Sequence, residues 1–503
     1  MKKFKNFKHE FFKWKYLDIF LLSLFFISAF ILRSYLIGSN LFFGPEQGRD
    51  MLSVKDIVVN HKLTLIGPTT AIEGVFHGPL YFYIAAIPFF ISKGNPIFIS
   101  LFFIFLNSLS VFFVYLLGKE LFSKRLGLIA SLIFTFSFGS IVMARWLSHP
   151  PLVIPLSLLF FLFLAKFIKG ENKYLIPTAI MYGLVSQTEF SNFIIFAFII
   201  LFTVIFFFKR FREQKIYVLF ISVFLVIFSP IFNFILFDLR HDFLITKSIL
   251  KSQTHRPEFI SYIFLTLSGS IIQFFKVFAD LISPMDVLGA FFIFCLSFFA
   301  LMKLREKYKN ETKILLIWIF APFVAFIVLR YNPLYHYFAS SELAIIFLFV
   351  VFCDYLFSLR KEVFYLTIGL FILMNLIFVI KLFPDNKNIF FQSTQPDLKF
   401  SDEVSVIKTA YKEANGKPFY FQAFTIPYWM QDGWQYLFWY YGTKDYGYIP
   451  AHTNKGLLFV IIQDDPSQPL YQHNWHKNTV LSWGTPLKRW RFGALTLEKL
   501  IVK

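Results

Sequence analysis

Apolar stretches of about 18 residues or more, the length a helix needs to cross roughly 30 Å of hydrocarbon, recur from Tyr16 to Phe383. A chain built this way has few folds open to it, because every backbone N–H and C=O inside a bilayer must be satisfied within its own helix. Composition agrees: 57% of residues are hydrophobic and 16% charged, against about 45–50% and about 25% in soluble domains. A soluble enzyme, a disordered scaffold and a secreted disulfide mini-domain are excluded. The 75 phenylalanines reflect a compositional bias and carry no functional weight. Cys295 and Cys353 both fall in expected spans, so neither a disulfide framework nor a thiolate metal site is expected. No metal or cofactor is implied. The net charge of +19 sits in short loops between apolar runs, a signature of topology and not of nucleic-acid binding.

Six lysines and one glutamate occupy the first fifteen residues, which places the N-terminus in the cytoplasm. Basic loops at Lys119–Arg125, Lys166–Lys173 and Lys209–Lys215 then recur on every second turn. The segment Phe259–Ile282 is apolar enough to span, but counting it would put Lys303, Arg305, Lys307, Lys309 and Lys313 outside, so it reads as interfacial or re-entrant. About 11 crossings result, with about 11 to 13 the plausible range. The expected class is an α-helical polytopic membrane protein with external juxtamembrane helices. Residues 1–383 form the membrane module, with a first external loop at 39–95. Residues 384–503 form a small extracytoplasmic α/β domain opening at Pro384, Asp385, Asn386 and Lys387. In that domain the pattern predicts a helix over Ser401–Asn415, strands at Pro418–Ala423, Gly456–Gln463 and Ala494–Val502, and an aromatic helix over Tyr428–Tyr441.

The unusual polar residues gather on the external side. They are Glu46, Arg49, Asp50, Glu73 and His77, then Arg145 and His149, Gln187 and Glu189, Asp238 to Asp242, and Arg330, Tyr335, His336 and Tyr337. Pro45 suits a first helical position, so Glu46, Arg49 and Asp50 share one face at i, i+3 and i+4. A carboxylate there can take a proton from a hydroxyl while Arg or His binds an anionic leaving group. Glu46 can equally complement the helix dipole, Asp50 can pair with Arg49 or Lys55, and His77 can be a turn residue before Gly78-Pro79. Arg240 and Arg330 read either as phosphate ligands or as interfacial anchors. Asp464-Asp465 before Pro466 reads as a solvated turn, and the aromatic run Trp434–Tyr441 as a packed helix face.

The motif Pro45-Glu46-Gln47-Gly48-Arg49-Asp50, with Phe76-His77-Gly78-Pro79-Leu80-Tyr81 later in the same loop, resembles the GT-C superfamily of membrane glycosyltransferases, and within it the family-39-like proteins. Arg145-Trp146-Leu147-Ser148-His149-Pro150, Gly183–Glu189, Phe237-Asp238-Leu239-Arg240-His241 and His336-Tyr337 extend the likeness. The resemblance implies an enzyme that transfers a hexosyl or pentosyl group, with inversion, from a polyprenyl-phosphate donor to a hydroxyl on a lipid, glycan or protein acceptor. It places catalysis on Glu46 with Asp50 beside it. Arg49, His77, Tyr81, Arg145, His149, Arg240, His241, Arg330, His336 and Tyr337 become substrate-binding candidates. One departure is that His77-Gly78-Pro79 stands where one branch carries Glu-Lys-Pro, which puts phosphate contact from that position in question. A polytopic transporter or flippase of a lipid-linked glycan is the alternative. It would need ionisable groups near the midplane or interrupted helices, whereas here they concentrate on one side.

Overall fold

The computed structural model describes residues 16–254, 259–282, 284, 287–330, 332–384, 397–451 and 455–502. The lysine-rich start and the expected domain opening at Asp385–Lys387 lie outside the described residues. Most of the chain is helical. The expected spans form helices at Tyr16–Ser34, Pro96–Leu121, Lys124–Phe136 with Phe138–Ala144, Val153–Ile168, Leu175–Ser186, Phe190–Phe206, Ile216–Phe228 with Phe232–Arg240, Val287–Lys303, Lys309–Leu329, Ser341–Leu359 and Lys361–Leu382.

Among the described residues, 7 helices are long and apolar enough to cross a membrane, or 9 if each bent pair is one span. That is fewer than the expected crossings, for a physical reason. Leu175–Ser186 is only 12 residues long, and Phe190–Phe206 and Val287–Lys303 are 17 each. Two more are broken. One bends by 64° at Ser137 and the other by 43° before Phe232, where Pro230 supplies no N–H to continue the ladder. Phe259–Ile282, expected to be interfacial or re-entrant, is a continuous 24-residue helix, and its Tyr262–Ile282 portion is one of the seven long and apolar enough to span.

Lipid contact inverts the usual sorting of side chains. Phe220 is 72% exposed and Phe264 77%, while Trp318 is fully buried and stacks on Phe161 with ring centroids 3.5 Å apart. Basic residues gather at one end of the bundle with their counter-charges. There Lys124 meets Asp18 at 2.6 Å, and Asp354 accepts from Lys307 at 3.0 Å and Tyr308 at 2.9 Å. At the other end of the first helix Arg33 is buried. It donates to Asn107 Oδ1 at 3.2 Å and to the Phe134 carbonyl at 3.0 Å.

The C-terminal domain is a four-stranded sheet of order β1-β2-β4-β3, comprising Phe419–Phe424, Gly456–Gln463, Lys488–Phe492 (β3) and Leu495–Val502. β1 and β2 are parallel and the other pairings antiparallel. The helix Phe400–Ala414 covers one side, with Val406, Ile407 and Ala410 in the core. β3 has no counterpart in the sequence reading, and the aromatic helix starts at Asp432 rather than Tyr428.

This domain rests on the first loop. Its aromatic helix, Asp432–Tyr441, crosses the loop helix Pro45–Val59. A Cβ on Gly48 would overlap the backbone of Asp432 and Gly433, so glycine there is what permits the approach. Tyr436 Oη donates to the Gly94 carbonyl at 2.6 Å, and Trp439 stacks on Phe89 at 5.9 Å. Trp434, Tyr436, Leu437, Phe438 and Tyr440 are buried. The aromatic run is therefore a packed face. Asp464 pairs with Arg491, and Asp465 accepts from Ser467 N and Gln468 N at 3.0 Å each, so the Asp pair is a turn, but one in which Asp465 is buried and not solvated as expected.

Candidate functional site

Pro45 opens the loop helix, and Gly44 N donates to Gln47 Oε1 at 3.0 Å, satisfying a donor at the helix start. Helical phase then sets the face. Glu46 is exposed on the first turn, and Asp50, one turn on, is 1% exposed. Arg49 Nε donates to Asp50 Oδ1 at 2.9 Å, and Arg49 Nη1 to Thr69 Oγ1 at 2.6 Å. Asp50 Oδ2 has no partner among the described residues. Burial pushes the Asp50 carboxyl up to about 7, against the opposing pull of Arg49, and the charges of Glu46 and Asp432 push the same way.

The second half of the loop folds back by a short bridge between Thr69 and Phe76. Gly78 presses against Gln187, where a Cβ would overlap that residue's backbone and amide. That contact brings His77 to the start of the helix Phe190–Phe206, whose first N–H donates to His77 Nδ1 at 2.9 Å. A neutral imidazole accepting at Nδ1 carries its proton on Nε2. Burial, reinforced by His336 and Arg49, lowers the His77 pKa to about 3, so this ring is neutral and a donor.

His149 lies against His77 with ring centroids 4.2 Å apart, and Tyr81 meets His149 at 6.3 Å. His336 packs on Trp146 at 5.3 Å and on Tyr337 at 4.6 Å. Its Nε2 is 3.5 Å from Glu189 Oε1, an electrostatic contact too long for a well-formed hydrogen bond. Glu189 is fully buried, which holds its carboxyl well above the usual carboxylate range. Tyr81 Oη, His149 Nε2 and Glu189 Oε1, like Asp50 Oδ2, are buried without a hydrogen-bond partner among the described residues. Unsatisfied buried groups each cost about 1–3 kcal/mol. Four within one cluster is an arrangement that an incoming polar ligand would complete.

Arg49, Asp50, His77, Tyr81, His149, His336 and Tyr337 thus come together. Arg145 is engaged elsewhere: its Nη1 donates to the carbonyls of Arg33 at 2.8 Å and Tyr35 at 2.6 Å, and its guanidinium lies over Phe383. His241 stacks on Phe237 at 3.9 Å, which in turn meets Phe76 beside His77. Arg240 is exposed on the last turn of its helix. Arg330 caps the helix Lys309–Leu329 in the left-handed conformation. The cluster also holds Glu189, Trp146 and Asp432, to which the sequence reading gave no role. The first two lie within stretches already singled out, and Asp432 reaches the loop helix only through the domain docking.

Residues 76–234 match the dolichyl-phosphate-mannose-protein mannosyltransferase family. The matched segment holds His77, Tyr81, His149 and Glu189 and begins after Glu46. Two solved structures of ArnT from Cupriavidus metallidurans superpose over nearly the whole chain. One, bound to undecaprenyl phosphate, has a TM-score of 0.61 at 9% identity, covering 96% of this chain and 98% of that one. The other, in the apo state, has a TM-score of 0.62 at 11% identity, covering 96% and 97%. The chain has the GT-C fold. No curated protein sequence matches it. In this fold the bundle, the first-loop helices and the sheet domain together form a multi-pass membrane protein with a buried polar cluster under the loop.

Proposed function

We propose that the protein transfers a sugar from a polyprenyl-phosphate donor to an acceptor hydroxyl on the extracytoplasmic side, with inversion. The observation that carries this reading is the cluster of buried, unpartnered polar atoms beside the exposed Glu46. It provides an aqueous-facing base on one side and dry, preorganised polar groups on the other. Support for the donor class comes from the fold, which ArnT shares while holding undecaprenyl phosphate.

In the proposed step Glu46 takes the acceptor's hydroxyl proton as its oxygen bonds to the anomeric carbon. The bond from that carbon to the phosphate oxygen breaks, and its electron pair leaves with polyprenyl phosphate. A single displacement of this kind inverts the anomeric centre. Arg49 and the Nε2–H of His77 face the developing phosphate charge, and Tyr81 Oη adds a third donor, in a site where burial strengthens each contact.

The test is reconstitution with a radiolabelled polyprenyl-phosphate sugar. Removing a general base typically costs about 10²–10⁴-fold, so Glu46→Gln is expected to lose transfer on that scale while retaining donor binding. Equal turnover by the two proteins refutes Glu46 as the base.

A further inference from the structure

A cleft of about 470 Å³ lies between the loop helix and the sheet domain, within the range of roughly 300–1,000 Å³ typical of small-molecule sites. It does not belong to the buried cluster. Gly48, Leu52 and Lys55 follow at i, i+4 and i+7 and form the stripe of the loop helix that faces the domain. Glu46 and Asp50 lie on the opposite stripe. The cleft is walled by Lys55 and Tyr420, by Gln422 of β1, and by Gln431, Gln435 and Trp439.

The chemistry of this wall is specific. Gln431 Nε2 donates to Gln422 Oε1 at 3.1 Å, which leaves the other half of each amide, and both halves of the exposed Gln435, to pair with a ligand. Paired donors and acceptors of this kind match vicinal hydroxyls, each of which both gives and takes a hydrogen bond. Trp439 is braced from one side by Phe89, with an interplanar angle of 16°. The same ring carries the Lys55 ammonium 5.2 Å from its centroid. The cation thus rests on an aromatic face, a contact weaker than a charge-assisted hydrogen bond, so an anion entering the cleft can draw it away and uncover the ring.

We propose that this cleft binds an anionic saccharide, with its acidic group on Lys55, its ring against Trp439 and its hydroxyls on the three glutamines. As a binding site it stands by itself. Its role in holding a glycan acceptor across the loop helix from Glu46 rests on the transfer reading.

The test is calorimetric titration of the full-length protein in detergent, without donor and in the Glu46→Gln background, so that failure of transfer and failure of binding are read separately. The probes are a hyaluronan tetrasaccharide, neutral chitotetraose and inorganic phosphate. Hyaluronan is expected to bind about tenfold more tightly than chitotetraose. Lys55→Gln should erase that difference, and Gln422→Ala with Gln435→Ala should weaken both sugars. The proposal is overturned if neither sugar binds, if Lys55→Gln leaves the preference intact, or if phosphate alone displaces hyaluronan completely. Because all three positions line an open cleft, a monodisperse elution profile suffices to show that the variants fold.

Discussion

At the scale of single residues, the site trades stability for readiness. Tyr81 is fully buried with its hydroxyl unpartnered, so Tyr81→Phe removes an uncompensated group. The variant should gain about 1–3 kcal/mol of stability, seen as a higher melting temperature in detergent, and lose about tenfold in transfer. A loss of both would mean that the hydroxyl has a structural partner. Asp50 allows a pH test. Its carboxyl rises from 3.8 to about 7 on folding, so the folded chain holds a proton that the unfolded one has released. Stability from this group is therefore present at low pH and lost between about pH 4 and 7. Asp50→Asn should flatten that part of the melting-temperature profile, and parallel profiles would contradict the assignment. The phase of Glu46, Arg49 and Asp50 was legible in the sequence because it depends only on helical spacing after Pro45. The pairing of Glu189 with His336, and the approach of Asp432, depend on contacts between distant segments, which local pattern does not encode.

Elements carry the next level of constraint. The loop helix and the aromatic helix cross at Gly48 with backbone against backbone. Gly48→Val should cost about 1–3 kcal/mol through overpacking and loosen the domain. Hydrogen exchange in 432–441 is the measurement, with faster exchange expected there and little change in Ser341–Leu359. Equal protection would show that the helices separate without penalty. Three of the four strands and the helix before them were readable from alternation and from the turn residues that bound them. β3 was not, because it is a short edge strand rich in basic residues, Lys488, Arg489 and Arg491, whose order comes from pairing with β4. The breaks at Ser137 and before Phe232 were hidden inside apolar runs that read as single spans. Ser137 Oγ donates to the Leu281 carbonyl at 2.9 Å, a tertiary contact that composition cannot announce.

For the whole molecule, the number of crossings sets which compartment each terminus faces. Each segment expected to span is helical, and the short ones still turn apolar side chains outward, Leu288 and Phe292 in Val287–Lys303 and Ile205 in Phe190–Phe206, so short length does not take them out of contact with lipid. The charge pattern still argues for an odd number of crossings and termini on opposite sides. Reporter fusions at both ends decide it: opposite compartments are expected, and the same compartment would make Phe259–Ile282 a crossing.

The joint between loop and sheet has a consequence for anyone building hybrids. A Cβ on Gly48 would lie 2.2 Å from Gly433 N, and one on Gly433 would lie 3.1 Å from the Gly44 carbonyl oxygen, so the fit is written in bare backbone on both partners. A foreign cap grafted after Phe383 would have to bring a matching bare patch, or it would hang from its tether without seating.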